Sequence, residues 1–424
     1  MKRAIFAAIV AGTAALGLRG QTHGHLPEWK KGEFEIHHIY TGKGEANFLI
    51  FPDGTTMLID AGDWNQREWN MTRALPDSSR GPGEWVARYV ERVNPDGRNV
   101  DYVMASHFHS DHIGNSKDPD RRLTSGRNPD YHLTGLMEAG EWLRFGKAFD
   151  RGYPDYDYPL PMDRDRGIDA ESDVADLRAL WKRQNELYGM KMEKFVPGRL
   201  NQITLLRHPE KYPDFSIRNL AANGEIWTGE GEETVRYYDQ NRDNLGRSQN
   251  ENTKSLAMRF NYGPFSYYSG GDLCSSLKDE SGNKVNLEVK VGEACGPVDV
   301  CKVNHHGHPS GTSEGFVKNV KAVNWILPVW DYWHISPTVV KRLIQYGASP
   351  GGPEINIFPQ TIHRRIWQTY GAEPWLKALN QTTGHVVVKV APGGKEYRIY
   401  VVTADDESGT VLREYGPYTS AKPR

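Results

Sequence analysis

The chain has 424 residues, 38% hydrophobic and 25% charged, with 52 Lys and Arg against 54 Asp and Glu and a formal net charge of −2. That length supports a sizeable buried core, read here as one domain, and the charge balance argues against a nucleic-acid partner. Three cysteines exclude a disulfide scaffold, although one pair can bridge in an oxidising compartment, with Cys295 and Cys301 closing the shortest loop.

Residues 1–20 carry Lys2 and Arg3, then an apolar run from Ala4 to Leu18 rich in small residues. The run is shorter than the roughly 20 residues a membrane span needs, so it reads as a cleaved signal peptide of a secreted or periplasmic protein with no stable membrane insertion afterwards. Its loss removes Lys2, Arg3 and Arg19 and takes the formal charge from −2 to −5.

The main domain is assigned to residues 33–405. "EFEIHHIYTG", "ANFLIFPDG" and "TTMLIDAG" are short β-rich runs between turn signals, which predicts an opening meander. The glycines of "TGKGEA" read as a β-turn, because the rest of a phosphate loop is missing. "GPGEWVARYVERVNPDG" spaces Trp85, Val86, Tyr89, Val90 and Val93 as an amphipathic helix. The apolar strand Val100 to Ala105 follows, and delivers "SHFHSDHIGN" at its C-terminal end.

Residues 115–250 are read as a long insertion carrying helices and a Tyr-rich loop, a candidate substrate wall. Its helix "AESDVADLRALWKRQNELYG" places Leu177, Leu180, Trp181 and Leu187 on one face. β-character returns at "FSIRNLAANGEIWTG", and a hairpin turns at Gly263-Pro264. "VDVCKVNHHGH" and "AVNWILPVW" are further apolar strands, "SPTVVKRLIQYG" is a Pro-started helix, and a last hairpin turns at Gly393-Gly394. Residues 406–424 are assigned to a C-terminal tail.

Imidazole nitrogen and carboxylate oxygen suit zinc and its neighbours, and a catalytic ion must keep one position open for water. His107 and His109, spaced by two at a strand end, can reach one ion; Asp111 and His112 can hold a second. A lone H-x-H is weak, but the complete H-x-H-x-D-H string after an apolar strand is strong.

These motifs resemble the metallo-β-lactamase superfamily. "MLIDAGD" offers Asp60, "YYSGGD" Asp272, and "KVNHHGH" His305 and His306, in the superfamily's order and each after an apolar run. Within it the chain looks most like the extracytoplasmic domain of ComEC-type competence proteins and secreted phosphorylcholine esterases.

The resemblance implies a four-layer αβ/βα sandwich, an α/β fold with two facing mixed sheets, and two divalent metal ions, zinc first with manganese or iron as alternatives. Asp272 would bridge the ions, His306 in preference to His305 would be the far ligand with the other histidine meeting substrate, and Asp60 would hold the histidine loop without binding metal. Asp111 would bind the second metal and orient the attacking hydroxide. His334, among tryptophans after a further strand, would be a proton donor or phosphate contact.

The superfamily's middle histidine is missing, since only His132 and His208 lie in that interval, so the first ion would keep a water or take Asn252. The expected function is metal-dependent hydrolysis of phosphodiester or phosphorylcholine-type esters, on a small-molecule or cell-envelope polymer substrate. Hydrolysis of another ester, lactone or β-lactam, and a non-enzymatic envelope or nucleic-acid binding module, are the alternatives.

Overall fold

A computed structural model describes residues 24–64, 70–117, 130–162, 169, 171–238, 250–274, 276–278, 284–347 and 354–421. The expected signal peptide, and residues 118–129, 163–168, 170 and 239–249 of the expected insertion, lie outside these. No helix among the described residues is long and apolar enough to cross a membrane.

Strands β1 (Phe34–Tyr40), β2 (Glu45–Ile50) and β3 (Thr56–Ile59) form an antiparallel meander. Helix α1 (Pro82–Val93) then crosses to β4 (Asn99–Met104), parallel to β3. Pro82 opens α1, Glu84 and Arg92 complement its ends, and Val86, Tyr89 and Val90 are buried. Short helices α2 (Ser110–Ile113) and α3 (Gly135–Ala139) lead to β5 (Arg144–Phe149), and α4 (Glu171–Tyr188) leads to β6 (Lys191–Met192); both strands extend the parallel run.

The second sheet begins with antiparallel β7 (Phe215–Ala222), β8 (Glu225–Trp227) and β9 (Thr234–Arg236), and the hairpin β10 (Ala257–Tyr262) and β11 (Phe265–Ser269). After a ribbon of β12 (Ser276–Lys278) and β13 (Lys284–Asn286), three parallel steps follow. They run through α5 (Leu287–Cys295), β14 (Val300–Lys302), α6 (Glu314–Val320), β15 (Asn324–Leu327), α7 (Pro337–Tyr346) and β16 (Asn356–Pro359). Helices α8 (Arg364–Tyr370) and α9 (Pro374–Lys377) precede β17 (His385–Val390), β18 (Glu396–Val402) and β19 (Val411–Thr419), which return to the first sheet.

The sheet orders are β19-β18-β17-β1-β2-β3-β4-β5-β6 and β16-β15-β14-β11-β10-β7-β8-β9. Between them lies a core rich in Phe, where Phe34 packs on Phe215 and Phe51 on Phe215 at centroid distances of 5.4 and 5.0 Å. Each such buried ring is worth roughly 1.5–3 kcal/mol. Helices α1, α3 and α4 cover the outer face of the first sheet, and α5, α6, α7 and α9 that of the second. This is a metallo-β-lactamase-like αβ/βα sandwich.

Four details differ from the sequence reading. Residues 115–250 contribute β5 and β6 to one sheet and β7, β8 and β9 to the other, so the segment is not a separate insertion. Its first strand, "RFGKAF", buries only alternate positions at its start and so lacks an apolar run. The expected tail supplies β19, an edge strand whose side chains are mostly outside the core. Leu187, expected on the buried face of α4, is 53% exposed, because the helix outruns its packing surface. Cys274, Cys295 and Cys301 are buried without a disulfide, and burial pushes the Cys295 thiol up to about 11.

Candidate metal centre

Five strand ends of the two sheets deliver the candidate residues. β3 ends at Asp60, whose φ of 62° is left-handed, and Asp60 donates its N–H to Met104 O at 2.9 Å. β4 then runs into Ser106 and the histidine loop. The backbone N–H groups of Ala61 and Asp63 donate to His112 O and Ser110 O at 3.0 and 3.1 Å, zipping the two turns together. Only glycine fits at position 62 between them: a Cβ there would lie 1.7 Å from Asp111 O.

Deeper contacts hold the loop's shape. The Asp173 carboxylate of α4 accepts Ser110 Oγ–H at 3.0 Å and Ser116 N–H at 2.8 Å. Glu251 accepts Phe108 N–H at 2.9 Å and Arg151 Nη2–H at 2.7 Å, while the Arg151 guanidinium lies 4.4 Å from the Phe108 ring. Burial opposes the Glu251 charge, but Arg151 and Lys254 outweigh it and hold the carboxyl down at about 2.

From the second sheet, β11 ends just before Asp272, β14 before His305 and His306, and β15 before Trp330 and His334. His305 and His306 have φ of 49° and 53°, and Ile335, beside His334, 62°. Left-handed backbone at non-glycine residues costs about 1–3 kcal/mol each and clusters where a site over-determines the chain. Among the described residues, four of the nine such positions, Asp60, His305, His306 and Ile335, surround one set of side chains.

The geometry of that set is tight. Donor atoms of Glu45, His112, Asp272 and His306 all lie within 4.8 Å of one another. His306 Nε2 is 3.1 Å from Asp111 Oδ2, 3.1 Å from Asp272 Oδ2 and 3.3 Å from His112 Nε2; His112 Nε2 is 3.3 Å from Asp272 Oδ1. His107 and His109 sit beside them, with His107 Nε2 and His109 Nδ1 3.1 Å apart and the His107 and His112 ring centroids 4.1 Å apart.

Asp60 accepts Ser106 N–H and Ser106 Oγ–H, both at 2.7 Å, and faces His112 Nδ1 at 2.8 Å. With its Nδ1–H given to Asp60, His112 turns Nε2 toward the carboxylates. Lone pairs would then face lone pairs, which needs positive charge between them, either protons or a cation. Both oxygens of Asp272, itself 1% exposed, lack a hydrogen-bond partner among the described residues. This donor set of imidazole nitrogen and unsatisfied carboxylate oxygen fits a divalent metal ion.

Electrostatics agree with that fit. Burial disfavours the imidazolium of His306, yet Asp272 and Asp111 raise it to about 9; His112 is likewise raised by Asp272, Asp111 and Asp60. Burial favours the charged form of neither His107 nor His305; His107 falls well below its ordinary value and His305 falls to about 3, so both rings are neutral.

A cleft of about 250 Å³ opens over this cluster, walled by His109, Asp111, Trp64, Trp330, Trp333 and His334. His305 lies at its side, 20% exposed in its side chain and 3.9 Å from Asp272 Oδ2, with Ser310 Oγ 2.7 Å from its Nδ1. Asn252 places its amide nitrogen 3.3 Å from His305 Nε2, and its buried side-chain oxygen has no hydrogen-bond partner.

His334 stacks on His306 at 4.6 Å, and its Nδ1 accepts the N–H groups of Trp330 and Asp331 at 3.3 Å. Its proton is therefore on Nε2. Burial and the neighbouring histidines push it well below its ordinary value, which leaves a neutral imidazole with an Nε2–H to donate.

The structure thus brings His107, His109, Asp111, His112, Asp272, His305, His306 and His334 to one cleft, with Asp60 behind. It leaves His132 on Asp176 at 2.8 Å and His208 3.4 Å from Glu210. Sequence reasoning missed Glu45 and the fully buried Lys302, whose Nζ lies 2.9 Å from Glu45 Oε2. The only signal was an acid directly after "TGKG", the loop read as a plain turn.

Two facing mixed sheets, outer helices and a histidine–carboxylate cluster at the strand ends define the class of fold. Residues 41–182 match the model of the Metallo-beta-lactamase superfamily. Among solved structures, the chain is similar to CmlA, a diiron beta-hydroxylase from Streptomyces venezuelae, with 11% identity, 78% of this chain and 53% of that chain covered, and a TM-score of 0.38. This chain therefore spans about half the length of that one. A protein of unknown function from Enterococcus faecalis V583 is similar with 10% identity, 77% and 70% coverage and a TM-score of 0.28. No curated protein matches the chain.

Proposed function

We propose that this chain is a secreted, metal-dependent hydrolase that directs a metal-activated water at phosphodiester or phosphorylcholine-type esters. The observation that carries the reading is Asp272: a buried carboxylate with both oxygens unsatisfied, among His112, His306 and Asp111. His107 and His109 would hold one ion, Asp111, His112 and His306 a second, with Asp272 shared and zinc the first candidate. The superfamily match at residues 41–182 supports the same reading.

Divalent ions there supply Lewis acidity and lower the pKa of bound water toward neutrality. The chain's own residues do the rest. Asp111 Oδ2, at the cleft floor, accepts a proton from the attacking water and orients it. His334 donates its Nε2–H to a substrate oxygen. Trp64, Trp330 and Trp333 wall the cleft and exclude solvent. Asp272 is a harder donor than a thiolate, which favours phosphate oxygen chemistry over a zinc-only site. The substrate class rests on this and on the likeness of "TGKGEANFLIFPDG" and "CKVNHHGH" to the competence and phosphorylcholine esterase motifs.

The test is a panel of chromogenic phosphodiesters, p-nitrophenyl phosphorylcholine, a lactone and a β-lactam, each with and without chelator. Chelator-sensitive turnover of the phosphodiesters, lost in His107→Ala, supports the proposal. Turnover confined to the lactone or β-lactam reassigns the substrate, and turnover of none by metal-loaded protein overturns the hydrolase.

A further inference from the structure

Asp60 backs His112, and a second buried carboxylate stands behind His306. Glu45 begins β2 and is 1% exposed. Its Oε1 accepts Asn47 Nδ2–H at 2.8 Å, which sets the plane of the carboxylate. Oε2 then lies 3.3 Å from His306 Nδ1 and 2.9 Å from Lys302 Nζ. Neither Glu45 Oε2 nor His306 Nδ1 has a hydrogen-bond partner elsewhere among the described residues.

Lys302, the last residue of β14, is 0% exposed. Its ammonium donates to Gly271 O and lies 3.7 Å from Asp272 Oδ1, so one cation is shared by Glu45 and Asp272. An unpaired ion of either sign in this interior would cost several kcal/mol, so the lysine and the two carboxylates are placed as a unit.

A carboxylate this close to the cluster can be a ligand, or it can be the acceptor that orients one. The two ring nitrogens of His306 separate these roles. Nε2 faces Asp111 Oδ2 and Asp272 Oδ2, both at 3.1 Å, while Nδ1 faces Glu45, so the imidazole stands between Glu45 and the other donors. Both Glu45 oxygens are already engaged, one by an amide and one by an ammonium.

We infer that Glu45 is a positioning residue: it takes the Nδ1–H of His306 and so presents Nε2 to the ion, while Lys302 neutralises Glu45 and keeps it out of the ligand shell. The inference rests on the metal-centre reading proposed above. It makes the two histidines of the second ion equivalent, each a carboxylate–histidine–metal triad, one through Asp60 and one through Glu45.

The experiment compares wild type, Glu45→Gln and Glu45→Ala, stripped of metal and titrated with Co²⁺ against a chromogenic chelator. In Glu45→Gln, unlike Asp60→Asn, the NH₂ can turn to Asn47, whose Oδ1 has no hydrogen-bond partner among the described residues, so the amide oxygen still accepts Nδ1–H; affinity falls less than about tenfold and the visible cobalt bands keep their position and intensity. Glu45→Ala loses the acceptor and weakens binding by about 10–100-fold. Should Glu45→Ala not fold, the near-isosteric Gln variant carries the test through its cobalt bands. Bands that shift in Glu45→Gln make Glu45 a ligand, and wild-type affinity in Glu45→Ala makes it structural; either result overturns the inference. A wild type that binds no Co²⁺ overturns the metal-centre reading instead.

Discussion

Replacing Asp60 with Asn tests how much of the centre depends on a residue that touches no ion in this account. Asn is among the few residues that tolerate the left-handed φ of 62° at this position, so the backbone is undisturbed. The amide has one acceptor where the carboxylate serves three donors: Ser106 N–H, Ser106 Oγ–H and His112 Nδ1–H at 2.7, 2.7 and 2.8 Å. If the amide NH₂ faces His112, the ring must move its proton to Nε2 and the donor electron pair leaves the ion. A hydrogen bond to a charged group is worth about 1.5–3 kcal/mol. At about 1.4 kcal/mol per factor of ten, Asp60→Asn weakens metal binding roughly 10–100-fold. Competition against a chromogenic chelator measures this directly, with urea unfolding of the metal-free protein beside it to separate binding from stability. Wild-type affinity in a folded Asp60→Asn protein refutes the tautomer argument.

Glu251→Gln removes the carboxylate that faces the buried cations Arg151 and Lys254 and costs about 3–5 kcal/mol of stability, read by urea unfolding. The Glu251 pKa is depressed from 4.5 to about 2 on folding, so its stabilisation is complete above about 4.5 and is lost as pH falls through about 2. Acid titration of stability should therefore show a loss in that window that Glu251→Gln lacks; identical slopes refute it. Gly62→Ala drives a Cβ into Asp111 O and should destabilise by about 3 kcal/mol or more, with metal affinity falling in parallel. Trp333, 58% exposed at the cleft, should tolerate Ala within about 0.5 kcal/mol of stability while raising KM about 3–10-fold, as loss of one ring contact implies; an unchanged KM removes Trp333 from the substrate wall.

The parts of this fold that could be read from sequence share a physical cause. Tyr102 to Ala105 and the run before Asp272 are buried on both faces, so they stand out as apolar text, and polar residues at their ends stand out by contrast. β5 and β19 were hidden because "RFGKAF" and "VLREYGPYT" leave alternate or outer positions at the surface. Glu45 and Lys302 carry no local signature: a charged residue beside a strand reads as a surface terminus, and its burial is evident only once β2 and β14 from different sheets meet at the same cleft. His306 was preferred to His305 on resemblance alone; the burial that separates them, with side-chain exposures of 1% and 20%, arises only in the folded chain.

The most direct test of the metal centre is anomalous diffraction at the metal edge, on crystals of protein purified without chelator. One peak is expected among Asp111, His112, Asp272 and His306 and a second beside His107, His109 and Asp272. Metal-loaded crystals with no peak there, or with peaks only at other surface histidines, would contradict it.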